Sequence, residues 1–331
     1  LGAGVMGATI AAHLANAGFD VLLLDIVPGE LNEQESAKGL TLESTAVRNR
    51  LGTKALQGLL KMKPAPLSLP AYSKRIQVGN FEDDLDKLAN YDWIIEVVVE
   101  YMPIKLELLG KVIKHLSSGA ILTTNTSGLS VNAMAEALPA DVRKRFLATH
   151  FFNPPRYMPL MEIAPCADTD PQFITEFAQF MSKRLGKGIV YAKDTANFIA
   201  NRIGIYAIYK GIDHMVDMGM TVEEVDAIAG PATARPKSAA FRTADLVGLD
   251  TLVYVGTNSY DNLLDDDERD VFKLPAFLKK MLDDGLLGNK AGKGFYKKDM
   301  VEGKRQISYY DYTNGEYLPL AKPKFPSAHM V

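Results

Sequence analysis

The chain has 331 residues, 47% of them hydrophobic and 23% charged, with a formal net charge of −3. That length suits about two domains of ~150 residues, and the near-neutral balance excludes a chain built to bind nucleic acid or an anionic membrane surface. Its single cysteine, Cys166, excludes an internal disulfide and a cysteine-based zinc cage, and fits a reducing, cytoplasmic compartment.

The chain opens on Gly2-Ala3-Gly4-Val5-Met6-Gly7, which fits G-x-G-x-x-G. Glycine is common, so the pattern needs its context. Ile10, Leu14 and Ala17 follow at helical spacing, and Gly18 is placed to end that helix. Val21-Leu22-Leu23-Leu24 reads as a short buried strand. Asp25 closes it, 18 residues beyond Gly7, where a dinucleotide fold places the acid for the adenosine ribose hydroxyls. Gly2 permits the tight turn, Gly4 lets the backbone approach a pyrophosphate, and Gly7 lets helix and strand pack closely. Asp25 repels a 2′-phosphate, and Ile26-Val27-Pro28 offers no arginine to attract one, so the expected cofactor is NAD. The fold also needs an apolar strand before Gly2 in the centre of its sheet. Only Leu1 stands there, so the chain reads as a fragment, or as one that has lost its first residues.

Residues 30–75 read as helical, then loop-rich, broken by Pro64, Pro66 and Pro70. Lys54, Lys61 and Lys63 there form either a solvated helix face or a cationic landing place for a phosphate-bearing substrate. A buried strand is predicted over 93–99, a helix over 104–116, and strands over 120–124 and 145–149. Alternating strands and helices imply a parallel α/β sheet, with ligands beyond the carboxyl ends of its strands. Asp25, Glu100, Ser127 and His150 all fall at such ends.

The expected architecture is a Rossmann-type, doubly wound α/β domain over 1–190, its first strand truncated. A smaller all-helical domain follows over 191–300, then a hairpin and linker tail over 301–331. Ile199, Ile203, Tyr206 and Lys210 share one helix, and another begins at Val222. The acidic run 265–268 reads as a solvated loop. Asn314-Gly315 marks a hairpin, and Pro323 and Pro326 a linker.

Five histidines are present. His13, His115 and His214 fall in helical patterns at no metal-ligand spacing, and His329 lies in the tail, so no metal site is expected. His150 differs: it ends a strand and precedes the rigid turn Phe151-Phe152-Asn153-Pro154-Pro155. Glu162 follows 12 residues later inside the apolar run Leu160-Met161-Glu162-Ile163-Ala164. A carboxylate there needs a partner or pays for its desolvation. An imidazole is a suitable partner.

These residues resemble those of the L-3-hydroxyacyl-CoA dehydrogenase family. The resemblance is carried by Gly2 to Gly7, Asn125-Thr126-Ser127, His150-Phe151-Phe152-Asn153-Pro154, Glu162, Lys193-Asp194-Thr195, Phe198-Ile199-Ala200-Asn201-Arg202, Val247-Gly248-Leu249-Asp250 and Gly294-Phe295-Tyr296, in family order over about 1–300. It implies NAD-dependent oxidation of L-3-hydroxyacyl-CoA to 3-oxoacyl-CoA in fatty-acid β-oxidation. In that scheme His150 is the base, Glu162 its brace, Ser127 a hydrogen-bond partner of the substrate oxygen and Asn201 a support for the acyl group. Ser127 and Asn201 then contact substrate, and Lys61 joins them as a candidate for its phosphates. Cofactor contacts fall on Gly2, Ala3, Gly4, Val5, Met6, Gly7, Asp25, Glu100, Lys105, Ser127, Asn153 and Lys290. Read without the family, Ser127 also suits the N-cap of a helix near Val131.

Two departures stand out. The family's Pro-Gly before Phe198 is here Ala196-Asn197, and Asn tolerates positive φ better than most residues. A cationic stretch with Arg235, Lys237 and Arg242 replaces a proline-rich one. Together with a longer segment at 55–75, these features are similar to a subgroup whose dehydrogenase part precedes an enoyl-CoA hydratase of crotonase fold. Expected partners are an acyl-CoA and a second copy of the chain as a homodimer, without nucleic acid or membrane. The competing readings are an NAD-dependent dehydrogenase of a free hydroxy acid and a non-catalytic NAD-binding module on the same fold.

Overall fold

A computed structural model describes residues 1–301, 303–321, 323 and 325. It divides into two compact units, Leu1–Phe198 and Ile199–Val331. The first unit continues past the expected boundary at 190 because Ala192 and Phe198 are both buried in its core.

In the first unit, α1 (Val5–Asn16) leads into β1 (Val21–Asp25). Three short helices follow, α2 (Glu33–Ala37), α3 (Thr45–Arg48) and α4 (Arg50–Leu59), then β2 (Ile76–Asn80), which pairs parallel to β1. β2 has no counterpart among the predicted elements, because Ile-Gln-Val-Gly-Asn is short and ends in turn-forming residues. Next come β3 (Trp93–Glu96), α5 (Met102–Val112), β4 (Ile121–Thr124), α6 (Val131–Glu136), α7 (Ala140–Arg143), β5 (Phe146–Phe151), β6 (Leu160–Pro165), α8 (Pro171–Leu185) and β7 (Gly188–Tyr191). The second sheet has the order β3-β4-β5-β6-β7.

Two expectations are corrected here. The strand predicted over 93–99 stops at Glu96, where the Glu96 carboxylate takes the Val98 N–H at 2.7 Å in place of a ladder partner. The sheet is not wholly parallel: β6 runs antiparallel to β5. Only residues 152–159 join them, too few for the crossover that parallel neighbours require.

Leu1 and Gly2 lie between the β1 and β3 edges. Leu1 O accepts the Val97 N–H at 2.8 Å, and Gly2 N–H donates to Leu24 O at 2.7 Å. Beside them a cavity of about 470 Å³ runs between these strands, lined by apolar side chains such as Ile10, Leu14, Leu22, Ile95 and Phe177.

Strand alternation sorts β5 between two cores. Phe146 and Ala148 pack with Leu109, Leu122 and Phe198, whereas Leu147 and Phe151 pack with Ile10, Ile163 and Phe177. The Asn197 substitution is accommodated as anticipated: Asn197 and Phe198 take φ of 61° and 48°.

The second unit holds α9 (Ala200–Asp217), α10 (Val222–Ile228), α11 (Phe241–Val247), α12 (Leu249–Asn262) and α13 (Ala276–Asp283). It is not wholly helical. β8 (Tyr296–Val301), β9 (Lys304–Asp311) and β10 (Glu316–Pro319) form an antiparallel sheet of order β10-β9-β8. The hairpin expected at Asn314-Gly315 joins β9 to β10, with Gly315 at φ 80°. The acidic run is tied down rather than merely solvated: Asp266 pairs with Arg202, and Glu268 meets Tyr206 and Lys210. Arg242 stacks 4.1 Å over the Tyr296 ring. Pro326 and His329 lie outside the described residues.

Candidate active site

The N-terminal loop has the shape that a pyrophosphate needs. Gly7 lies so close to Gly2 that a Cβ would stand 1.9 Å from Gly2 O, whereas a Cβ on Gly4 would meet open space. Gly2, at φ 98°, would press a Cβ against Val97 O at 2.6 Å. Gly4 is the N-cap of α1 and supplies no capping side chain, so the first-turn N–H groups of this 12-residue helix can receive an anion. Asp25 sits at the end of β1, half-buried. Its carboxylate accepts Ala3 N–H at 2.6 Å and Ile26 N–H at 2.7 Å, which holds the acid against the glycine loop. These residues fit a dinucleotide.

At the β3 and β4 ends the chemistry is more buried than the sequence suggested. Lys105, 1% exposed, places Nζ 2.8 and 3.0 Å from the two oxygens of Glu96, itself fully buried. Glu100 lies 3.3 Å from the same ammonium. Glu100 Oε1 also accepts the Thr126 hydroxyl at 2.6 Å and Ser127 N–H at 2.7 Å, so it shapes the loop that presents Ser127. Thr124 Oγ1 donates to Glu96 at 2.6 Å. Sequence reasoning passed over Glu96 and Thr124. The signal for Glu96 was a carboxylate inside an apolar run, the same signal used for Glu162.

Ser127 does not cap α6. Ser130 does, accepting Ala133 N–H at 3.2 Å, and Asp194 takes Val131 N–H at 2.8 Å and Asn132 N–H at 2.9 Å. Ser127 is three residues too early in the chain for that task.

His150 and Glu162 are direct register partners on β5 and β6. Opposed residues of an antiparallel pair project to the same face. Nδ1 of His150 accordingly stands 2.6 Å from Glu162 Oε2, with the two side chains 6% and 1% exposed. Phe152 and Phe198 pack on the imidazole at centroid distances of 4.4 and 5.8 Å. Asn125 Oδ1 accepts Phe151 N–H at 2.9 Å and so ties the Ser127 loop to the strand bearing His150.

Other candidates are more dispersed. Asn153 opens the turn after β5, and Lys61 is exposed beyond α4. In the second unit, Asn201 lies in the first turn of α9, and Lys290 Nζ stands 2.5 Å from both oxygens of Asp250. His13 serves the interior: its Nε2 is 3.2 Å from Leu185 O, and burial lowers its pKa to about 4. Among the described residues, no group of three His, Cys, Asp or Glu converges as metal ligands, and no helix is long and apolar enough to cross a membrane.

Comparison with known proteins bears on the family of the chain. Residues 1–195 match the family model for the 3-hydroxyacyl-CoA dehydrogenase NAD-binding domain, and residues 198–298 match that for its C-terminal domain. A probable 3-hydroxyacyl-CoA dehydrogenase of Bacillus subtilis is 50% identical over 330 residues, covering 99% of this chain and 41% of that protein. A putative fatty acid oxidation complex trifunctional enzyme of Rickettsia prowazekii is 32% identical, covering 97% of this chain and 43% of that protein. The chain thus spans less than half the length of either relative. The crystal structure of Mycobacterium tuberculosis FadB2 superposes with a TM-score of 0.71 at 27% identity, covering 89% of this chain and 96% of that one. With both of its units matched in order, the chain belongs to the 3-hydroxyacyl-CoA dehydrogenase family.

Proposed function

We propose that this chain oxidises an L-3-hydroxyacyl-CoA to the 3-oxoacyl-CoA with NAD, as a step of fatty-acid β-oxidation, within a longer polypeptide. The reading is carried by one observation, the buried contact of 2.6 Å between His150 Nδ1 and Glu162. That contact favours the tautomer with the proton on Nδ1 and leaves Nε2 to meet the substrate. Nε2 takes the proton of the 3-hydroxyl, and the carboxylate behind stabilises the imidazolium that forms. NAD, when bound, accepts the hydride from C3. Ser127, on the loop shaped by Glu100, holds the substrate oxygen. Asp25 and the glycine loop hold the adenosine and pyrophosphate portions, and Glu100, Lys105 and Asn153 line the nicotinamide end.

The test is turnover of acetoacetyl-CoA with NADH by the full-length protein, followed at the nicotinamide absorbance, beside the same assay with free acetoacetate. Preference for the thioester supports the reading. Faster use of the free acid points to a hydroxy-acid dehydrogenase, and cofactor binding without turnover points to a non-catalytic module.

A further inference from the structure

Lys187 follows the left-handed Gly186 that ends α8, and its residue is 4% exposed. Its Nζ donates to Pro155 O at 2.5 Å and to Met158 O at 2.8 Å, and lies 5.5 Å from the centroid of Phe151. Among the described residues no carboxylate pairs with it, and burial is the sole influence on its charge. A buried ammonium facing only neutral groups carries a desolvation penalty that an apolar side chain of equal length avoids. Burial accordingly lowers its pKa to about 8. Space filling alone does not account for such a residue.

What the charge does touch is one turn, at both ends. Residues 153–158 leave β5 immediately after His150 and Phe151, and begin with Asn153. From its outer side the same turn reaches the segment beyond Lys61 and Lys63. Arg156 Nη1 donates to Ala65 O at 2.7 Å and to Leu67 O at 3.0 Å, and the Tyr157 hydroxyl donates to Ala65 O at 2.9 Å. The turn's own backbone bonds, from Tyr157 and Met158 N–H to Pro154 O at 2.9 and 3.0 Å, close it only locally. From beneath, Lys187 anchors the turn itself to the body of the domain, and Gly188 N–H holds Pro159 O just past its end at 2.8 Å.

We propose that Lys187 is a positioning residue: its buried ammonium clamps the 153–158 turn, and thereby sets Asn153 beside His150 and holds the 65–67 segment in place. The kinetic part of this assignment rests on the dehydrogenase reading. The structural part does not.

The test is hydrogen exchange, by mass spectrometry, of peptides covering 153–158 in the full-length protein and in Lys187→Met, with β5 and β6 peptides as internal reference. The clamp predicts exchange at least about tenfold faster in the turn, an unchanged reference, and a return toward wild-type rates in Lys187→Arg, which keeps a charged donor. Lys187→Gln keeps a donor without charge and replaces Lys187→Met if that variant does not fold. Where wild type turns over acetoacetyl-CoA, kcat should fall about tenfold and KM for NADH should rise, with a smaller change in KM for the thioester. Turn exchange equal to wild type in the Met or Gln variant overturns the proposal, whatever the enzyme's activity.

Discussion

Glu96 and Lys105 form a closed ion pair beneath the strand ends, with both carboxylate oxygens within 3.0 Å of one ammonium and neither residue more than 1% exposed. Thr124 and Val98 fill further acceptor sites of the same carboxylate. A pair this deep contributes less by its own attraction than by the penalty for breaking it. Lys105→Met should therefore destabilise the protein by about 3–5 kcal/mol, and the double variant with Glu96→Gln should recover part of that. Urea unfolding measures both. A single variant within about 1 kcal/mol of wild type would mean that water reaches Glu96.

Under the proposed function, His150→Gln should lower turnover by roughly 10²–10⁴-fold, the range for loss of a general base. Glu162→Gln should also lose at least tenfold, since an amide no longer stabilises the imidazolium. NADH binding, read by fluorescence, should survive both changes. Wild-type turnover in His150→Gln would remove His150 from the chemistry.

The Asp25 carboxylate holds Ala3 N–H at 2.6 Å, and under the proposed function it also takes the ribose hydroxyls. A hydrogen bond to a charged group contributes about 1.5–3 kcal/mol. Asp25→Ser should therefore weaken NADH binding roughly 10–100-fold and narrow the preference over NADPH. Titration of both cofactors against wild type and variant decides it, and equal affinities in the two proteins would place the ribose elsewhere.

Stability of the second unit should depend on Asp245. This residue is 3% exposed, and burial raises its carboxyl from 3.8 to about 6, against the pull of Phe295 and Tyr296 N–H. The buried Asp226, itself raised by burial, pushes in the same direction. Because the folded value lies above the unfolded one, the contribution is fully present below pH about 4 and is lost as pH rises through about 6. A rise of that size is equivalent to roughly 1–3 kcal/mol of stability. Urea unfolding at pH 7 and pH 5 should show Asp245→Asn with a weaker gain on acidification than wild type. Equal gains would show that Asp245 does not titrate in this window.

The sequence alone was enough wherever the requirement is local. A Gly-x-Gly-x-x-Gly turn, a helix at 3.6 spacing and an acid at the following strand end are decided within 25 residues, because backbone φ and steric closeness impose them. The Asn197 turn and the Asn314-Gly315 hairpin belong to the same class, since each is set by the conformational range of one or two residues. His150 and Glu162 were legible as candidates because an acid in an apolar run demands a partner. Their meeting was decided by the antiparallel turn of β6, which the expected parallel sheet did not contain. The Glu96–Lys105 pair, the Ser130 and Asp194 cap and the contacts of Lys187 with Pro155 O and Met158 O were likewise tertiary outcomes. Each joins groups from different elements, and no spacing along the chain encodes which buried charge will face which carbonyl or carboxylate once the sheet has closed.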